Sequence, residues 1–128
     1  MPFGIARTLE TSFEDALAKV PPALAAEGFG VLTEIDVQAT LKKKLDVDFR
    51  RYRILGACNP SFAHKALSHT LEVGMLLPCN VVVYENDDGR TTVSAVDPMQ
   101  TIAAKGDPAL QSVAEQVQAK LKRVIDSL

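Results

Sequence analysis

The chain has 128 residues, the length of one domain able to bury roughly two-thirds of its unfolded surface. Apolar residues make up 47% and aromatics 5%, with no Trp, so Val, Leu, Ile and Ala must build the core. Sixteen acidic against fourteen basic residues leave a net charge of −2, which argues against a generic binder of nucleic acid or of an anionic membrane.

The N-terminal stretch Met1–Arg7 lacks the apolar core and cleavage site of a signal peptide. No apolar run approaches the roughly 18 residues of a membrane span. Two cysteines without an export signal point to a reducing cytoplasm and free thiols, with a disulfide the minor alternative.

Residues 3–9 read as a strand. Ser12 can cap a helix that has Asp15 in its first turn, and Phe13, Leu17, Val20 and Leu24 mark one helical face. Pro21 and Pro22 should kink or split that helix, because each removes a donor and crowds the preceding turn. Gly28 suits its C-terminal cap. Gly30 to Ile35 alternates as a strand. Asp36 can cap a short helix with Val37, Leu41 and Leu45 on its buried side and Lys42, Lys43 and Lys44 opposite.

Phe49 to Cys58 reads as a strand with Tyr52, Ile54, Gly56 and Cys58 on one face, expected to point inward. Asn59-Pro60 signals a helix start, with Asn as cap and Pro at the first position, running to about Leu71 with Gly74 as the stop. Cys79 to Glu85 is a β-branched run, Asn86-Asp87-Asp88-Gly89 a hairpin turn, and Arg90 to Val96 the antiparallel return. Asp107-Pro108 repeats the cap-plus-proline signal. Leu110, Val113, Ala114, Val117, Leu121, Val124 and Ile125 form the inner face of a C-terminal helix. The order β-α-β-α-β-α-β-β-α predicts a single α+β domain over residues 1–128, with helices on one face of a mixed or antiparallel sheet.

Both cysteines fall in similar stretches, Gly56-Ala57-Cys58-Asn59-Pro60 and Leu77-Pro78-Cys79-Asn80. Cys58 precedes a helix N-terminus, whose positive end favours a thiolate. The plainer reading is a small buried side chain ending a strand. For Cys79, opening a strand ahead of Val81 and Val83, the packing role is the stronger one. The two thiols come together only if their strands run antiparallel, and the spacing is far from C-x-x-C.

His64 and His69 are five residues apart and turn away from each other on a helix, unlike an i, i+4 zinc pair, so no metal site is expected. No nucleophile–base–carboxylate set, Gly-x-Ser-x-Gly setting or Gly-rich phosphate loop can be assembled, which leans against an enzyme and leaves any cofactor unknown. Lys42–Lys44 with Arg50, Arg51 and Arg53 read as a solvated face and a charge-protected strand edge. Asp97-Pro98 is a polar turn that could face a cleft.

Four ordered stretches, Gly28–Val37, Tyr52–Pro60, Leu76–Val81 and Val93–Pro98, together resemble a bacterial and archaeal family, the domain of unknown function 302. The resemblance spans most of the chain. It implies a compact α+β domain that is often a homodimer, with no assigned activity and no catalytic residues to carry over.

The sequence therefore points to a small cytoplasmic homodimer that binds a small molecule near Cys58, Asn59, Pro78, Cys79, Asn80 and Asp97, with no nucleic-acid or membrane partner. Thiol-based redox or sulfur transfer at Cys58, and a purely structural assembly subunit, are the alternatives.

Overall fold

The elements run β1 (Gly4–Leu9), α1 (Phe13–Ala26), β2 (Gly30–Asp36), α2 (Val37–Leu45), β3 (Tyr52–Cys58), α3 (Pro60–His69), β4 (Cys79–Glu85), β5 (Thr91–Val96) and α4 (Pro108–Asp126). A computed structural model describes residues 4–128, with Lys105 given by its backbone alone, so Phe3 of the expected first strand lies outside the described residues. The strands form one sheet in the order β1-β5-β4-β3-β2, and all four pairings are antiparallel. The α+β class and the element order agree with the sequence reading.

Helices α1 and α4 cover one face. The α1 helix packs on β2, β4 and β5, and α4 on β1 and β5. Between them and the sheet lies the core, where Leu55, Val81, Val83 and Val93 meet Val20 and Leu24 of α1 and Leu121 and Ile125 of α4. All seven residues expected on the inner face of α4 are buried there. Arg7, on the edge strand β1, donates to the carbonyls of Ile125 at 3.3 Å and Asp126 at 2.9 Å. Its cation thus sits at the negative end of α4 and adds a donor to the carbonyls of the last turn.

Several expectations need correction. The α1 helix is continuous through Pro21 and Pro22. Both prolines are exposed, so the carbonyls that lose their donors lie on the solvent side, where water can satisfy them. None of the α2 residues is buried, and Leu45 is 66% exposed. That helix packs along β2 and β3, and Gln38 also donates to Phe49 O at 3.0 Å. Regular β3 starts at Tyr52 rather than Phe49. Its inward row is Leu55 and Ala57, opposite Val81 and Cys79, so alternation turns Tyr52, Ile54 and Gly56 to the face opposite α1 and α4.

The third helix ends at His69, and Gly74 lies inside a 3₁₀ turn, Leu71–Leu76, instead of stopping the helix. The β4–β5 hairpin closes as expected. Gly89 takes φ +85 and donates its N–H to Asn86 O at 3.0 Å, while the Asn86 amide pairs with the Thr92 hydroxyl.

Candidate functional site

Three local devices build one end of the sheet. At the end of α1, Gly28 takes φ +86 and donates to Ala25 O, and Phe29 donates to Leu24 O, both at 3.0 Å. This Schellman closure turns the chain sharply and buries Phe29 beside Leu24. In β2, Val31 faces Ala57 and Thr33 faces Gly56, so Leu32 is the extra residue of a β-bulge. At the start of α3, Pro60 sits where a missing N–H costs nothing.

Asn59 holds the cap position without capping. Its side chain makes no bond to the first turn of α3 and donates instead to Glu27 O at 3.2 Å. The expected cap is corrected to a tether, which fastens the start of α3 to the α1–β2 turn.

Because β3 and β4 are antiparallel, Ala57 stands opposite Cys79, and the end of one strand meets the start of the other. The condition for bringing Cys58 and Cys79 to one end of the sheet is therefore met, and both thiols are free. Cys58 is half-buried and Cys79 buried. Burial pushes the Cys79 thiol up to about 11, with the neighbouring Cys58 adding to the rise, so Cys79 stays protonated at neutral pH.

Both cysteines border a cavity of 260 Å³. Ala57 and Cys79 form its floor, Phe62, Ala66 and Leu67 its α3 wall, and Val113 and Val117 its α4 wall. Phe29, Leu32 and Ile102 complete the surround. Cys58, Asn59 and Pro78 also border it, so four of the six sequence-selected residues come together. Asn80 and Asp97 do not border it. Asn80 is exposed and pairs with Gly56, while Asp97 Oδ1 accepts from Met99 N and from Gln118 Nε2, tying a turn to α4.

Sequence reasoning missed the apolar walls. Phe62 and Ala66, one helical turn apart on α3, were the available signal for that wall. Nothing local announces Leu32, since a bulge depends on the partner strand.

Four cations of the basic patch pair locally with acids. Lys42 meets Asp46 at 3.0 Å and Asp48 at 3.3 Å, Arg50 meets Asp87 at 2.9 Å, Arg51 meets Glu14, and Arg53 meets Glu34 and Asp36. These acids offset the basic patch. His64 is exposed, and His69 Nε2 lies 2.6 Å from Asp107 Oδ2. Among the described residues no group of three or more His, Cys, Asp or Glu gathers to hold a metal. Among them, too, no helix is long and apolar enough to cross a membrane.

The profile of one family, Domain of unknown function DUF302, matches residues 5–128. Among solved structures, the crystal structure of uncharacterized conserved protein DUF302 from Bacillus stearothermophilus shares 31% identity and superposes with a TM-score of 0.89. That similarity covers 98% of each chain. No curated protein matches the sequence.

Proposed function

The chain belongs to the DUF302 family, and from that premise we propose that it is a small-molecule binding module whose site is the cavity beside Cys58 and Cys79. One observation carries the reading: Cys58 and Asn59 from one segment and Pro78 and Cys79 from another border the same cavity. A concave, mostly apolar pocket with a few converging polar groups is the usual form of a ligand site. Asn80 and Asp97 act outside it, in pairing and in turn closure.

The test is native mass spectrometry of the untreated protein, compared with the same sample after gentle organic extraction. A small molecule retained before extraction and lost after it, one per chain, is the expected result. A bare chain in both samples, with exchange at the cavity amides no slower than in the loops, would sink the reading.

The module is further proposed to act as a homodimer in a reducing cytoplasm. Support for the dimer is the sheet face opposite α1 and α4, where Ile35, Ile54 and Val82 lie side by side by register and Tyr52 stacks on Tyr84 at 5.4 Å. Ile35 is 47% exposed, and a second copy presents the same face to it under two-fold symmetry. Support for the compartment is the two free thiols.

A second reading, thiol chemistry at Cys58, is favoured by its half-buried position just before the ten-residue helix α3, with an Asn59 side chain that leaves the first turn uncapped. Alkylation of Cys58 at neutral pH faster than that of a free cysteine peptide is expected under this reading. A rate equal to or below the peptide's removes it.

A further inference from the structure

Resting on the reading of the cavity as a binding site, we infer that its ligand is an uncharged, largely apolar molecule of about ten non-hydrogen atoms, admitted past Leu32. The size follows from the volume. An engineered cavity of about 150 Å³ takes benzene, so 260 Å³ holds a molecule nearly twice as large, a bicyclic ring or a short branched chain.

The chemical class follows from the lining. No Lys, Arg, His, Asp or Glu borders the cavity. A carboxylate, phosphate or ammonium group placed there would lose its water without gaining a partner, a cost no apolar contact offsets. The few polar groups are already committed or weak. The Asn59 amide spends a donor on Glu27 O, Cys79 offers only a neutral S–H, and Cys58 is a soft, polarisable neighbour. Such a surround suits an aromatic or branched aliphatic group and gives a charged metabolite nothing to grip.

Leu32 supplies the entrance. It borders the cavity yet is 68% exposed, and it is the residue that the β-bulge takes out of ladder pairing. Bulges redirect a side chain without breaking the strand, which is why they recur beside binding sites. A leucine that touches both solvent and cavity covers the mouth when a ligand lies beneath it and swings aside for exchange. Leu32 is thus a positioning and access residue for the site.

The test uses 3-methylindole and indole-3-carboxylate, which have similar size and shape but differ in charge, each titrated into the full chain and followed by amide NMR. The expected result is saturable binding of 3-methylindole, one per chain, with shifts centred on Phe29, Cys58, Phe62, Val113 and Val117. The carboxylate should bind about tenfold more weakly or worse, given the uncompensated burial of its charge.

In Leu32→Ala the release of 3-methylindole should speed up more than its association, while Val117→Phe, which fills the cavity, should stop binding and keep the native spectrum. If the carboxylate binds at these amides as well as 3-methylindole does, the inferred ligand class is wrong while the binding site stands. If neither compound binds and the cavity amides respond only to protein concentration, a second copy is the occupant, and both the inference and the binding-site reading fall. Unchanged kinetics in Leu32→Ala overturn the role given to Leu32.

Discussion

The amide of Asn59 reaches the backbone carbonyl of Glu27 at 3.2 Å, joining positions 32 residues apart in sequence. It fastens the C-terminal turn of α1 to the N-terminus of α3, and so holds Phe29 and Phe62 on either side of the cavity. Replacing Asn59 with Ala removes a part-buried hydrogen bond, and the expected loss is about 1 kcal/mol. Urea denaturation measures it. Asn59→Asp should lose the tether as well, because a carboxylate cannot donate. An Ala variant as stable as the native chain would show that the tether contributes nothing.

Gly56 faces a tight spot. A Cβ added there would stand 2.8 Å from Pro78 Cγ and closer still to Thr33 Oγ1. Gly56→Ala should therefore destabilise by about 1–3 kcal/mol through overpacking. Gly30, on the neighbouring strand, has nothing within 4 Å of such an atom. Thermal unfolding of Gly30→Ala should stay close to native, and a comparable drop in both variants would refute the steric account.

Cys79 should resist alkylation at pH 8 in the folded chain and react once urea exposes it, as mass mapping of the labelled sites will show. Its thiol is raised from 9.0 to about 11, first by burial and then by Cys58. The raised value favours the protonated, folded form, so this contribution to stability is complete below pH 9 and fades as pH rises toward about 11. Cys79→Ala should show a flatter alkaline limb in a stability-versus-pH series. An identical limb in both proteins contradicts the assignment.

Asp107 works at the other end of the pH scale. The hydrogen bond from His69 holds its carboxyl below the ordinary value of 3.8, helped by the backbone N–H groups of Ala109 and Leu110. A depressed carboxylate stabilises the fold above its unfolded value, and that contribution is lost as pH falls through and below 3.8. In Asp107→Asn, which can still cap α4, stability should fall less steeply between about pH 5 and 2. Circular dichroism during acid titration distinguishes the two.

If the sheet face opposite α1 and α4 joins two copies, Val82→Lys should convert the dimer to a monomer in light scattering after gel filtration, with the far-ultraviolet spectrum unchanged. Val82 lies between Ile54 and Ser94 on that face, away from the core. A wild-type chain that runs as a monomer at high micromolar concentration would rule the dimer out.

The sequence was most legible where a local rule had no rival. The seven apolar positions of α4 repeat with a helical period and are all buried. The Asp88-Gly89 turn needed only a residue able to take positive φ. The sequence was ambiguous in β3, where Ile54 and Leu55 are both apolar and neighbours, so alternation alone cannot choose the inner face. Partner strands and α1 decide it. Asn59 shows a different limit: its cap position was readable, but the competing carbonyl of Glu27 is a tertiary fact. The part of the candidate site made by the two Cys-containing segments was visible from residue types. Of the apolar walls that give it volume, α3 follows Cys58-Asn59 directly, whereas α4 comes from the far end of the chain.

The bond from Arg7 to the last turn of α4 spans 118 and 119 positions. A chain emerging from the ribosome cannot pair β1 with β5 until Val96 has been made, nor close the Arg7 contact until Asp126 has been made. Strand β1 must therefore wait as an unpaired edge, so closing the sheet becomes a late, long-range event. The first and last described elements then act as a clasp, and loosening either should fray the other.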